Sequence, residues 1–108
     1  MRLLAMTAAI ALVPALAGAE TLRSANLEAD LTRRVVSMTS RAGAAIKGEQ
    51  VYVTMRRLDG AAMEAADLTD YVGFAERAAC GTRSVLVSLM VGVEAGAARY
   101  EVLCASAE

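Results

Sequence analysis

Histidine and tryptophan are absent from this 108-residue chain, and phenylalanine, lysine and proline each occur once. Without histidine there is no Ser–His or Cys–His nucleophilic pair and no imidazole acid–base chemistry. The ordinary switch near neutral pH and the ligand sets of nearly all catalytic zinc sites go with it. Aromatic residues make up only 4% of the chain, and its formal charge is −1. That removes the stacking platforms and the basic surface on which nucleic acid is held, so nucleic acid is not an expected partner. The glycines are scattered. Gly92-Val93-Glu94-Ala95-Gly96 reads as a strand end and a turn, not as a phosphate cradle. There are two cysteines, Cys80 and Cys104, far from the Cys-x-x-Cys spacing that lowers a thiol pKa for redox work.

What is present begins with a tripartite leader. Arg2 supplies a positive start, Leu3 to Val13 an apolar run, and Pro14 a break. Ala17 and Ala19 are the small residues a signal peptidase needs at positions −3 and −1. Residues 1–19 are therefore expected to be a cleaved signal peptide, and the mature chain to be periplasmic or otherwise extracytoplasmic. The apolar run is too short, and too interrupted by Pro14, to read as a spanning helix of about 20 residues. No transmembrane segment is expected in the mature chain.

Residues 20–108 then make one small domain. A domain of this size has a marginal core and gains much from a covalent staple. An even cysteine count in an exported chain points to a Cys80–Cys104 disulfide. Closing a loop of about 25 residues is worth roughly 3–4 kcal/mol in the chain-entropy model.

Periodicity predicts the order helix, strand, helix, strand, strand. Leu27, Leu31, Val35, Met38, Ala42 and Ala45 recur at steps of three and four, which predicts a helix over 24–46 ended by Gly48. The competing reading takes Arg34 to Thr39 as a strand, because Val35, Val36 and Thr39 are β-branched. Val51, Val53 and Met55 alternate with polar neighbours and predict a strand over 49–58. A second helix is expected over 67–79, capped by Asp67 or Thr69 and closed by Gly81. The run from Thr82 to Glu94 is apolar on one face and only mildly polar on the other, which reads as an inner strand covered on both sides. Arg99 to Cys104 should return beside it as an antiparallel hairpin. The expected fold class is a small α+β domain with a three-stranded, mainly antiparallel sheet and two helices on one face.

Chemistry is sparse. Glu64, Asp67, Asp70 and Glu76 form a carboxylate cluster, but helix caps and a solvated face account for it. No catalytic residue, cofactor-binding residue or metal ligand is assigned, and no cofactor is implied. The unusual feature is charge segregation: Arg33, Arg34, Arg41, Lys47, Arg56 and Arg57 precede Asp59, Glu64, Asp67, Asp70 and Glu76. Arg34 and Arg41, seven residues apart, would share one face of the first helix as a partner-contact face for a protein or an anionic envelope component. The functional expectation is an exported binding or assembly module without catalytic activity. The alternatives are a small carboxylate-using enzyme or a structural subunit of an envelope complex.

Overall fold

Leu27, Ala29 and Leu31 are buried, while Glu28 and Asp30 between them are half-buried and Thr32 is exposed. A period of two is that of a strand, not of a helix. The computed structural model describes residues 19–39 and 41–106. Apart from Ala19, the leader read in residues 1–19 lies outside the described residues. The elements are β1 (Ala19–Arg23), β2 (Leu27–Thr39), β3 (Ala45–Arg57), α1 (Ala65–Asp70), α2 (Val72–Cys80), β4 (Val85–Glu94) and β5 (Ala97–Ala105). The strands form one antiparallel sheet in the order β1-β2-β3-β5-β4.

The expected fold class is thus corrected: the sheet has five strands, not three, and the order is β-β-β-α-α-β-β. The helix expected over 24–46 is replaced by β2, a turn and the start of β3. The reason lies in the number four. Residues four apart lie on one stripe of a helix and also on one face of a strand. Leu27, Leu31 and Val35 therefore fit both, and only the buried Ala29 between them separates the two. β-Branched Thr32, Val35, Val36 and Thr39 add strand preference. Gly48, expected to stop that helix, instead lies inside β3 opposite Ala105. A Cβ there would come within 2.9 Å of the Cys104 carbonyl oxygen, so glycine is what lets β3 and β5 approach.

The second helix is present in two pieces, broken at Tyr71. Its start lies earlier than expected, at Glu64, whose backbone N–H donates to the Asp67 carboxylate at 2.8 Å. Gly81 closes α2 with a positive φ of 63°, and its N–H donates to the Arg77 carbonyl at 2.8 Å. The β4–β5 hairpin turns through Ala95 and Gly96, both at positive φ (50° and 79°). That is the backbone signature of a type I′ turn, which matches the twist of the flanking strands.

One sheet face carries the core. Val51, Val53 and Met55 of β3 pair across to Val102, Tyr100 and Ala98 of β5, and all are buried beside Leu27, Ala29 and Leu31. Ala75, Ala78 and Ala79 of α2 close over them, their small side chains allowing close approach to the sheet. Each large side chain buried here contributes roughly 1.5–3 kcal/mol. The helices pack mainly on β5, with α2 also against β3, β4 and β2 and α1 also against β4, and they leave uncovered the side of the sheet on which Val87 and Leu89 of the expected Val85–Val93 face lie. Cys80, at the end of α2, is bridged to Cys104 of β5 with Cα atoms 5.4 Å apart. That is inside the normal disulfide range. No helix among the described residues is long and apolar enough to cross a membrane.

Candidate functional site

The sequence places the partner-contact face among the charged residues. Arg33, on the core face of β2, reaches the C-terminal end of α2. Its Nη1 donates to the Ala79 carbonyl at 2.6 Å and its Nη2 to the Ala78 carbonyl at 3.2 Å. Arg83 approaches the same end, with its Nε donating to the Cys80 carbonyl at 3.2 Å. Glu49 lies between the two arginines, 3.0 Å from Arg33 and 2.8 Å from Arg83. Burial alone would raise the Glu49 pKa, but the Arg83 hydrogen bond and the Arg33 charge outweigh it and hold the carboxyl below its ordinary range. Arg33 also pairs with Glu20 of β1. Positive charge at orphan helix carbonyls is a structural clasp.

Two further arginines of the basic run are paired. Arg56 pairs with Asp30 at 3.0 Å, and Arg57 grips Asp59 through two hydrogen bonds of 3.1 and 2.7 Å. The Arg57 guanidinium, helped by the Ala61 N–H, lowers the Asp59 carboxyl to about 2. Antiparallel pairing sets Asp30 and Glu49, carboxylates from outside the acidic block, against arginines of the basic run. Arg34 and Arg41 share no helical face, since there is no helix there. Arg34 sits on the open face of β2 with its Nε donating to Gln50 at 3.2 Å, and Arg41 stands in the β2–β3 turn.

The carboxylate cluster decorates the helical segment. Glu64 and Asp70 are exposed, and Asp67 and Glu76 are half-buried. Among the described residues, hollows open on the open sheet face, at Asn26, Arg57, Asp59 and Tyr71, and at Gly60, Ala62 and Gly96. These hollows are not lined by Glu64, Asp67, Asp70 or Glu76. Among the described residues, no three carboxylates or cysteines converge as metal ligands would. The most strongly shifted group in the core is Tyr100. Burial, then the charges of Asp67 and Asp70, push its phenol up to about 12, and its hydroxyl donates to the Leu68 carbonyl at 2.9 Å. That bond fastens α1 to β5.

What stands out is β4. It closes one edge of the sheet, and from Val85 to Val93 it carries no charge. Leu89, Met90 and Val91 are 53%, 50% and 54% exposed. Beside it, on the face the helices leave open, Val36, Met38, Val87, Leu89 and Leu103 line a shallow groove of about 270 Å³, with Gln50 and Glu101 at its polar side. Sequence reasoning placed this strand inside the sheet, so it missed the surface. The uncharged nine-residue run was the available signal, but it reads the same for a covered strand and for an edge awaiting a partner. No known protein family, curated protein or solved structure matches the chain.

Proposed function

We propose that this chain is an exported, periplasmic binding or assembly module that works without catalysis, its residues 1–19 a cleaved leader and its contact surface the β4 edge. The observation that carries this reading is the edge itself. Folded proteins normally defend a free strand with lysine, proline, a charge pointing inward or a covering loop, because its unpaired N–H and C=O groups template further pairing. Between Val85 and Val93 there is no charge and no proline. The register is irregular near both ends of β4, which leaves Val87–Met90 as the undefended apolar stretch that strand-addition recognition requires. The Cys80–Cys104 bridge is in keeping with an oxidising compartment. The contact surface therefore moves from Arg34 and Arg41 to β4.

Expression of the whole chain in a bacterium, followed by osmotic shock and intact mass measurement, tests the export half. The expected species begins at Glu20 and is lighter by two hydrogens than the reduced chain. Full-length protein in the cytosol with both thiols open to alkylation would overturn it.

A further inference from the structure

We infer that the hollow at Asn26, Arg57, Asp59 and Tyr71 is a binding site for a neutral, hydroxyl-rich ligand, a sugar ring being the class its chemistry fits. The site is separate from β4, and neither reading depends on the other. Three segments distant in sequence build it: the β1–β2 connection, the end of β3 with the residues after it, and the break between α1 and α2. Backbone hydrogen bonds fix each of them. The Ser24 N–H donates to the Leu27 carbonyl at 2.9 Å, which turns the chain at Asn26. The Leu58 N–H donates to the Asn26 carbonyl at 2.9 Å and ties that turn to the end of β3. The Tyr71 N–H donates to the Asp67 carbonyl at 3.0 Å and closes α1 there.

Size and unpaired polar groups set this hollow apart. Its volume, about 340 Å³, lies within the range of about 300–1,000 Å³ typical of small-molecule sites. The groove beside β4, at about 270 Å³, and the hollow at Gly60 and Gly96, at about 210 Å³, fall below that range. Among the described residues, the side-chain amide of Asn26 and the hydroxyl of Tyr71 have no hydrogen-bond partner in the protein, although both residues line the hollow.

Charge decides the ligand class. Arg57 and Asp59 are the ionic residues lining the hollow, and their two hydrogen bonds, 3.1 and 2.7 Å long, join them as a neutral pair. A charged ligand finds no free counter-ion there without breaking that fork. A hydroxyl needs none, because it donates and accepts at once. The Asp59 carboxylate and the Asn26 side-chain oxygen offer acceptors, and the Asn26 NH₂ and the Arg57 Nη1 offer donors. The Tyr71 ring and Leu58 add apolar surface for the C–H face of a sugar. The ligand is held, not cleaved: Asp59 is the one carboxylate among the lining residues, and glycoside hydrolysis ordinarily takes two.

The test is saturation-transfer NMR on the recovered, oxidised chain, with glucose, galactose and N-acetylglucosamine each titrated through the millimolar range beside glucuronate and glucosamine as charged counterparts. The expected result is saturable transfer to at least one neutral sugar, and weaker transfer to both charged ones. Asn26→Ala should weaken binding about tenfold, the equivalent of one to two hydrogen bonds, with the melting temperature unchanged because that side chain supports nothing else in the fold. Tyr71→Phe keeps the ring and should weaken it about threefold. Val36→Lys, in the groove beside β4, should leave it unchanged. Absence of saturable binding by all three neutral sugars overturns the proposal, as does binding that Asn26→Ala and Tyr71→Phe leave intact. Tighter binding of glucuronate or glucosamine overturns the assignment of a neutral ligand. If Asn26→Ala lowers the melting temperature, amide shifts on wild type decide: the sugar should move the signals of Asn26, Asp59 and Tyr71, and shifts confined to β4 and its groove overturn the site. Export and the β4 contact are read by other measurements, so failure here leaves both standing.

Discussion

The two edges of this sheet are built on opposite plans. β1 is five residues long and exposed throughout, and its polar side chains are tied to β2: Thr21 to Asp30 at 2.9 Å, Arg23 to Glu28 at 2.8 Å, and Glu20 to Arg33. β4 is ten residues long, bulged near both ends, and apolar up to Glu94. Shortness and charge make β1 a poor template for another strand, since a newcomer would have to desolvate or break those pairs. β4 offers no such cost over its middle. The difference teaches that the edges of one sheet need not share a fate: one is finished, and the other carries the surface on which a function can act.

The largest expected effect lies on the β4 side, where the disulfide holds α2 to the strand next to the edge. Replacing Cys80 and Cys104 together by alanine should cost about 3–4 kcal/mol, read as a lower urea midpoint. Amide exchange should rise more in β4 and β5 than in β2; an equal rise would erase the contrast between the two sides.

A smaller loss is expected on the β1 side. Arg33→Ala removes the partner of Glu20 and uncovers the Ala78 and Ala79 carbonyls, at a cost of about 2–3 kcal/mol. Arg33→Lys should recover little of it, because one ammonium cannot span the four acceptors Glu20, Glu49 and the Ala78 and Ala79 carbonyls with the geometry of a guanidinium. A full rescue by lysine would show that charge alone, not the fork, holds this corner.

The smallest change sharpens the hairpin that presents β4. Ala95 sits at φ 50°, a conformation that asparagine tolerates better than alanine. Ala95→Asn should therefore raise stability by about 0.5 kcal/mol, visible as a small upward shift of the melting temperature. A fall instead would mean that the turn does not set the register of the β4 edge.

Parts of this architecture are legible in the residues. The strand around Val51, Val53 and Met55, the helical segment before Cys80, the β4–β5 hairpin and the pairing of the two cysteines all follow from local pattern and from cysteine count. β2 was not legible, because its apolar residues fall at four-residue steps that suit a helix stripe and a strand face equally. The charge segregation misled for a related reason. A linear run of arginines says nothing about which carboxylates antiparallel pairing will set opposite them, as with Arg56 and Asp30 or Arg33 and Glu49.

By itself, then, the sequence determined that imidazole chemistry is closed to this protein, where the Asp59-Gly60 and Ala95-Gly96 turns fall and which two cysteines pair, because these depend on residue type, on count and on neighbours a few positions away. Only the tertiary structure decided that β5 inserts between β3 and β4, and so which apolar strand is left at the rim. Strand order is settled by how the helices cover one face and by where Cys80 meets Cys104, contacts between residues distant along the chain. Local periodicity is the same for a strand with two neighbours as for a strand with one.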